Sequence, residues 1–141
     1  MKNIIPYLTF NGNAEEALNH YKSVLGGEIV SISRFKDAPP MEGVEMTEES
    51  LNLVMNAAYV INEYITIMVS DGHPSFDEIP FGQNISLAIT AESKEEADAF
   101  FTGLSEDGII TMPIEETFWN AYFGMCEDKF GVNWMINFDM D

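Results

Sequence analysis

Basic residues are scarce in this chain, and their scarcity excludes several classes of partner. Six lysines and arginines stand against 24 aspartates and glutamates, which gives a formal net charge of −18 at pH 7. A nucleic-acid partner requires a basic surface that neutralises phosphates, and an anionic membrane attracts the same kind of surface. We therefore expect neither partner. The negative field instead favours a neutral or cationic ligand, because it steers cations towards the protein.

Cysteine and long apolar runs are also rare. The single cysteine, Cys126, has no partner for an internal disulfide, which suits a reducing compartment. No apolar run approaches the roughly 20 residues that span a bilayer, and residues 1–10 lack the pattern of a secretory signal. These observations predict a cytoplasmic protein. Its 141 residues fit one domain or two small modules that share a core.

The pattern of strands and helices occurs twice along the chain. In the first half, the periodicity predicts strands at 4–10, 28–35, 51–60 and 64–69, with one helix after the first strand. In the second half it predicts strands at 84–90, 109–114, 117–126 and 132–138, again with one helix after the first strand. The helix starts AEEA and KEEA lie 80 positions apart, which an internal duplication explains. The sequence therefore predicts an α+β chain of two βαβββ modules.

Turn and cap residues mark the limits of these modules. We place the modules at about 1–72 and 82–141 of a single domain, joined by a connector at 71–83 that holds two prolines and two glycines. The loop at 36–50 is longer than usual, so we expect it to be mobile or to carry function. The expected helix N-caps are Asn13 and Ser93, the latter with Glu96 in the capping-box position.

The stretch from Thr117 to Phe138 carries the most distinctive local pattern. It contains TFW, then FG, then DKFGVNW before a short apolar finish, and it holds both tryptophans and the cysteine. This combination resembles the carboxyl-terminal signature of the PhnB-like branch of the glyoxalase/bleomycin-resistance/dioxygenase superfamily, also called vicinal oxygen chelate proteins. Many members of the branch carry the inherited label 3-demethylubiquinone-9 3-methyltransferase. The resemblance covers nearly the whole chain and implies an open cup of eight strands with the helices outside.

Strand alternation predicts which side chains line this cup. Apolar faces should cover the helices, which assigns Leu87, Ile89, Trp134 and Ile136 to the helix side. In the first strand, the superfamily pattern places Pro6 and Leu8 inward. The candidate ligand-binding residues, which face inward or lie near the expected mouth of the cup, are Tyr64, Thr66, Met68, Asn84, Ser86, Trp119, Asn133, Met135 and Asn137. A few polar groups among apolar walls are typical of a small-molecule site. The alternative is a narrow cup that these side chains fill.

The positions that hold a metal in related enzymes carry poor ligands here. Metal-dependent members of the superfamily place His, Gln or Glu at the inward centre of four strands, and the matching residues are Pro6, Thr66, Asn84 and Met135. None of these is a strong ligand for a divalent ion. We therefore predict no metal and no cofactor. Cys126 is expected to be structural, because its acidic neighbours raise the pKa of its thiol.

The residues and the resemblance leave three functions open. The first is a metal-free homodimer that binds a small organic molecule, neutral or cationic, in the cup. The second is a divalent-metal enzyme of the same superfamily, namely a lyase, a dioxygenase or a resistance transferase. The third is a protein-interaction module with a filled cup. A methyltransferase usually has a glycine-rich turn after the first strand of an α/β sheet, and the turn at 11–13 is too short for one.

Overall fold

The computed structural model describes all 141 residues, which divide into two compact units at 1–80 and 81–141. The elements of the first unit are β1 (Tyr7–Phe10), α1 (Ala14–Leu25), β2 (Glu28–Arg34), α2 (Glu48–Leu51), β3 (Val54–Asn62) and β4 (Ile65–Asp71). The elements of the second unit are β5 (Leu87–Thr90), α3 (Lys94–Ser105), β6 (Ile109–Glu116), β7 (Ala121–Glu127) and β8 (Asn133–Asp139). None of the helices has the length and apolar character that crossing a membrane requires.

Each unit contains one four-stranded sheet, and the two sheets have the same topology. The strand orders are β1-β4-β3-β2 and β5-β8-β7-β6. In each unit the first and last strands pair in parallel, while the other neighbours are antiparallel. Each unit is therefore a βαβββ module, with the short α2 as an addition to the first. The predicted α+β class and module order are confirmed, and the eight-stranded cup stays a prediction.

One long helix covers one face of each sheet. α1 packs on β3 and β4, and α3 packs on β7 and β8. The buried helix residues are Ala14, Ala17, Leu18 and Tyr21 in α1, and Ala97, Phe101 and Leu104 in α3. In β4, Ile67 and Val69 are buried, and in β8 Trp134 and Ile136 are buried. The predicted helix-facing alternation of these two strands is therefore confirmed.

The two modules share one requirement for glycine at the start of their second strand. A Cβ on Gly27, just before β2, would meet the carbonyl oxygen of Val60 in β3. A Cβ on Gly108, just before β6, would meet the carbonyl oxygen of Glu127 in β7. The same close approach of backbones therefore recurs at matching places, as expected for a duplicated module.

The two long helices begin with different capping groups. Ser93 caps α3 as predicted, because its hydroxyl oxygen accepts a 3.0 Å bond from the Glu96 N–H. Asn13 occupies the N-cap position of α1, but its side chain makes no capping bond. The buried carboxylate of Asp71 at the end of β4 replaces it, accepting bonds from the Gly12 and Ala14 N–H groups at 2.8 and 3.0 Å. Asp71 was assigned to the connector from the sequence, and the structure instead makes it part of the core.

Several strands begin later than their composition predicts. β1 starts at Tyr7 instead of Ile4, β5 at Leu87 instead of Asn84, and β7 at Ala121 instead of Thr117. β3 starts at Val54, because Leu51 belongs to α2, which Thr47 caps by accepting a bond from the Ser50 N–H. Local side-chain bonds such as this one compete with strand pairing and override β propensity.

The face assignment of β1 is wrong by one residue. Tyr7 lies opposite Met68 and Leu8 lies opposite Val69 in the parallel pair of β1 and β4. Since Val69 is fully buried on the helix side, Leu8 also lies on that side and Tyr7 lies on the other. Pro6 precedes the strand. The sequence placed Pro6 and Leu8 on the face away from the helix, and the structure places Tyr7 there instead.

Candidate functional site

The face of the second sheet that lies away from α3 carries methionines, amides and one phenylalanine. In the register of β7 and β8, Met125 lies opposite Met135 and Phe123 lies opposite Asn137. β5 adds two exposed residues beside β8, since Ala88 lies opposite Met135 and Thr90 opposite Asn137. We call this surface the second open face; its residues are Ala88, Thr90, Phe123, Met125, Asn133, Met135 and Asn137. All of them are partly or fully exposed within the chain.

Three predicted site residues, Asn133, Met135 and Asn137, lie together on the second open face. The Asn133 Nδ2 group donates to the backbone oxygens of Gly82 and Ile85, at 3.2 and 3.4 Å. The Asn137 Nδ2 group donates to Asp139 Oδ1 at 3.0 Å. Both amide nitrogens thus make bonds inside the unit, whereas neither amide oxygen accepts one.

Two other predicted site residues, Asn84 and Ser86, lie outside the strand to which they were assigned. They precede β5, Asn84 as an exposed residue and Ser86 as a partly exposed one. The segment that holds them is attached to β8 through the Asn133 amide. Their predicted positions in a strand that begins at Asn84 are therefore wrong.

Trp119 lies in a turn and borders the second open face through one ring contact. The turn joins β6 and β7, and the Thr117 N–H closes it by donating to the Ala121 backbone oxygen at 2.8 Å. The Trp119 ring is 53% exposed and packs edge to face against Phe123, with the ring centroids 6.0 Å apart. Its predicted place in a strand starting at Thr117 is wrong. Trp119 lies beside the candidate site because the turn between β6 and β7 brings its ring against Phe123.

The corresponding face of the first sheet contains a hydrogen-bonded tyrosine and asparagine. Asn56 Nδ2 donates to the hydroxyl oxygen of Tyr7 at 3.1 Å. The predicted residues Thr66 and Met68 lie on this face, opposite Val60 and Ala58 of β3. We call this surface the first open face; it comprises Tyr7, Asn56, Ala58, Val60, Thr66 and Met68.

Tyr64, another predicted site residue, is not part of the first open face. It lies in the turn between β3 and β4, where it is 86% exposed. Its N–H donates to Asn62 Oδ1 at 2.8 Å, and the Ile65 N–H donates to the same oxygen at 3.0 Å. The asparagine side chain thus organises this turn, which ends the strand pattern before Tyr64.

Sequence reasoning missed Tyr7, Asn56, Phe123 and Met125 on the open faces. The alternation of β7 does separate Phe123 and Met125 from Tyr122, Gly124 and Cys126. Which of these two sets faces the helix depends on the pairing of Cys126 with Trp134 and of Gly124 with Ile136. That register was the information lacking from the sequence.

The metal positions inferred from the resemblance change with these corrections. Tyr7 takes the place of Pro6 on the first open face, and Asn84 lies outside its strand. Thr66 and Met135 stay on the open faces. The structure contains no group of three or more His, Cys, Asp or Glu side chains arranged to hold a metal ion. The metal-free state stays a prediction.

The signature DKFGVNW forms a structural unit around Asp128. Asp128 Oδ1 accepts bonds from the Phe130 and Val132 N–H groups at 2.9 and 3.0 Å, and Oδ2 accepts one from Trp134 Nε1 at 2.8 Å. Gly131 takes a positive φ of 93°, which glycine adopts without steric cost. The acidic residue of the signature therefore stabilises the β7–β8 turn.

Cys126 is a buried thiol with little nucleophilic character. Its side chain is 2% exposed, and it is free of any disulfide. Burial, with a further contribution from the Asp128 carboxylate, raises the pKa of the Cys126 thiol to about 11. Since the thiolate is the nucleophile, this pKa supports the structural role expected from the sequence.

Comparison with known proteins agrees with this architecture. A family model described as 3-demethylubiquinone-9 3-methyltransferase matches residues 2–137. Protein YjdN of Escherichia coli (strain K12) is 34% identical over 137 residues, covering 94% of this chain and 92% of YjdN. The crystal structure of protein PA1353 from Pseudomonas aeruginosa is 36% identical, with a TM-score of 0.86 and complete coverage of both chains.

Two further solved structures connect the chain to the branch and to the superfamily fold. The Bacillus cereus protein described as a putative 3-demethylubiquinone-9 3-methyltransferase, PhnB protein, is 33% identical, with a TM-score of 0.80 and coverage of 97% and 99%. A glyoxylase/bleomycin resistance protein/dioxygenase domain from Frankia sp. EAN1pec is 14% identical with a TM-score of 0.67, over 99% of this chain and 93% of that one, and shares the fold. The chain therefore belongs to the 3-demethylubiquinone-9 3-methyltransferase family, a PhnB-like family with the glyoxalase/bleomycin-resistance fold.

Proposed function

We propose that this protein is a metal-free small-molecule binding protein whose ligand lies against the second open face. The cup that the sequence predicts would be lined by this face. The observation that carries the proposal is the cross-strand cluster of Phe123, Met125, Met135 and Asn137 on the side of the sheet away from α3. Thioethers adapt to ligands of varied shape, and amide oxygens accept hydrogen bonds without adding charge. This combination suits an organic molecule of mixed polarity.

The charges around the second open face favour a neutral or cationic ligand. Glu127 lies opposite Asn133, and Glu115 lies opposite Phe123, so both carboxylates border this face. The net charge of −18 acts in the same direction at longer range. An anion would therefore approach this face less readily than a cation of the same size.

A matched pair of tryptophan variants tests where the ligand binds. Ala88→Trp covers the second open face, whereas Ala99→Trp adds the same ring on the exposed side of α3. A panel of metabolites and drugs is screened by melting temperature, since a ligand that binds the folded state raises it. A hit should stabilise wild type and Ala99→Trp equally and should leave Ala88→Trp unshifted. An equal shift in Ala88→Trp would place the ligand elsewhere, and a preference for anions would contradict the electrostatic argument.

Elemental analysis tests the metal-free part of the proposal. The protein is purified without chelator, and its content of transition metals is measured per chain. We expect a substoichiometric content, because Tyr7, Thr66 and Met135 are weak ligands for divalent ions. One transition-metal ion per chain would instead favour a divalent-metal enzyme of the same superfamily.

We also propose that the protein is a homodimer in the cytoplasm. β6 is an edge strand of the second sheet, and Ile109, Ile110 and Met112 are all at least 40% exposed on it. Exposed apolar edge strands are usually covered, because their free N–H and C=O groups would pair with other chains. The free cysteine, Cys126, suits a reducing compartment.

A further inference from the structure

The long segment between β2 and β3 encloses a cavity at one end of the first sheet. Its volume is about 660 Å³, within the range of small-molecule sites. Apolar side chains form most of its wall, among them Met41, Val44, Met46, Leu51 and Met55. No residue of the first or second open face belongs to this wall, so the cavity is a separate site.

The wall of the cavity is held in place by a series of local hydrogen bonds. Asp37 Oδ2 accepts a 2.8 Å bond from the Arg34 N–H at the end of β2. Further along, the Val44 N–H donates to the Met41 backbone oxygen at 3.2 Å. The segment then forms α2 and enters β3. The long segment between β2 and β3 therefore forms the wall of the cavity.

His73 lines the cavity and is held as a hydrogen-bond donor. Its Nδ1 accepts a 3.2 Å bond from the Ser75 N–H and lies 2.7 Å from the Ser75 hydroxyl. Because a backbone N–H can only donate, a neutral His73 ring in this arrangement carries its proton on Nε2. The ring packs between Phe35 and Phe76, with centroid distances of 5.2 and 4.8 Å.

Lys36 is the one charged residue in the wall, and it is one of three basic residues of the chain without an ion pair. Lys22, Arg34 and Lys94 each form an ion pair with a glutamate, and Lys36 forms none. Several acidic side chains lie in the same loop, but none of them lines the cavity. The cavity thus offers an apolar wall, one cation and one N–H donor.

We propose that this cavity binds a small apolar monocarboxylate, a site distinct from the second open face and of opposite charge preference. Lys36 and the His73 Nε2–H group supply the charge and the donor that the two carboxylate oxygens need. Met41, Met46 and Met55 contact the apolar body and adapt to its shape. A monoanion fits this donor set better than a phosphate dianion, which would bring more charge into a strongly negative protein.

Octanoate and its neutral analogue octanamide test the proposal by titration calorimetry. Octanoate should bind wild type more tightly than octanamide does. Lys36→Gln should weaken octanoate binding about tenfold, the usual effect of losing one charge-assisted bond, with little effect on octanamide. Lys22→Gln is the matched control, because it removes the same charge from an exposed site on α1 and should bind octanoate as wild type does.

Two further variants locate the binding site. Val44→Trp fills the cavity and should abolish octanoate binding, whereas Ala88→Trp on the second open face should leave it unchanged. If Ala88→Trp abolished octanoate binding and Val44→Trp did not, the assignment of the ligand to the cavity would be overturned. The proposal would also be overturned if Lys36→Gln bound octanoate as tightly as wild type does. It would equally be overturned if wild type bound neither octanoate nor phenylacetate at millimolar concentration. None of these results depends on the ligand of the second open face.

Discussion

Two buried aspartates act as connectors of backbone segments. Asp71 accepts bonds from Gly12, Ala14 and, at 3.0 Å, Val54, so one carboxylate joins the β1–α1 turn, β3 and the end of β4. Asp128 does the same for the β7–β8 turn and for Trp134. Each residue is at most 4% exposed. Removing a buried carboxylate of this kind lowers the stability, because the N–H groups that donate to it are left without an acceptor.

We predict that Asp128→Ala destabilises the protein by roughly 2–4 kcal/mol, since two buried donors and one partly buried donor lose their acceptor. Asp128→Asn should cost less, because the amide oxygen still accepts. Urea unfolding followed by tryptophan fluorescence and circular dichroism measures both values. The control is Asp77→Ala on an exposed loop residue, which should change the free energy of unfolding by less than about 0.5 kcal/mol. Equal effects of Asp77→Ala and Asp128→Ala would contradict the role of Asp128.

The buried hydroxyl of Tyr59 predicts a loss of stability in alkali. The hydroxyl lies 2.6 Å from the Gly26 backbone oxygen and 3.2 Å from that of Tyr21, and burial raises the pKa of Tyr59 to about 12. The unfolded tyrosine ionises near pH 10. Between these values the unfolded state binds fewer protons, so stability falls as the pH rises from about 10 to 12.

Tyr59→Phe should remove this part of the alkaline dependence. The variant should also be about 1 kcal/mol less stable at neutral pH, because the helix-end carbonyl loses its donor. Unfolding free energies measured from pH 8 to 12 test both effects. Tyr64→Phe, at an exposed turn residue, serves as the control and should follow wild type. A Tyr59→Phe curve parallel to that of wild type would show that Tyr59 does not titrate as expected.

At the scale of elements, the distance between helix and sheet depends on small residues. Gly124 in β7 lies under α3, and a Cβ there would come within 2.8 Å of Ile114 Cα and of Phe101 Cε1. Ala57 in β3 is also small and fully buried on the helix side of the first sheet. Small residues in the central strands thus allow the large side chains of the helices to pack on the sheets.

We predict that Gly124→Ala destabilises the second module by about 1–3 kcal/mol through overpacking. Gly82→Ala is the matched control, because a Cβ at Gly82 meets only the Asn84 side chain, at 3.4 Å, and should have little effect. Phe101→Leu should reduce the cost of Gly124→Ala in a double-mutant cycle measured by urea unfolding. A zero coupling energy would show that Phe101 is not the group that Gly124 accommodates.

At the scale of the whole molecule, an excess of acidic side chains coexists with exposed apolar strands. The net charge of −18 opposes nonspecific association. Yet nearly every residue of β6 is exposed, and the strand lies at a sheet edge. The proposed contact between two copies of the chain would reconcile these two properties.

We predict a dimer in light scattering at micromolar concentration, near physiological salt. Ile110→Lys should shift the measured mass towards the monomer, because it places a charge on an exposed apolar edge. Ala99→Lys adds the same charge to the exposed side of α3 and should stay dimeric. Wild type that is purely monomeric would remove the basis for the homodimer. A dimer unaffected by Ile110→Lys would instead move the interface away from β6.

Long-range contacts explain where the strand faces predicted from the sequence were right and where they were wrong. The alternation of β8 placed Asn133, Met135 and Asn137 correctly, because Trp134 and Ile136 are large apolar residues with one suitable environment. Leu8 in β1 was misplaced, since its face follows from the pairing with Val69, 61 positions away. The length of the 36–50 loop predicted a segment that is mobile or carries function, but the cavity depends on contacts of this loop with β3 and His73.

The sequence by itself determined the order of the strands and the two long helices, the duplication, the limits of those two helices and the glycine turns, because period, capping and backbone freedom act over a few residues. Gly26, Gly27 and Gly131 all have the positive φ that such turns need. Only the tertiary structure decided the register of β1, the late start of β7, the capping of α1 by Asp71 and the cavity around His73. These features depend on groups far apart in the chain, such as Gly12 and Asp71, which no local pattern brings together.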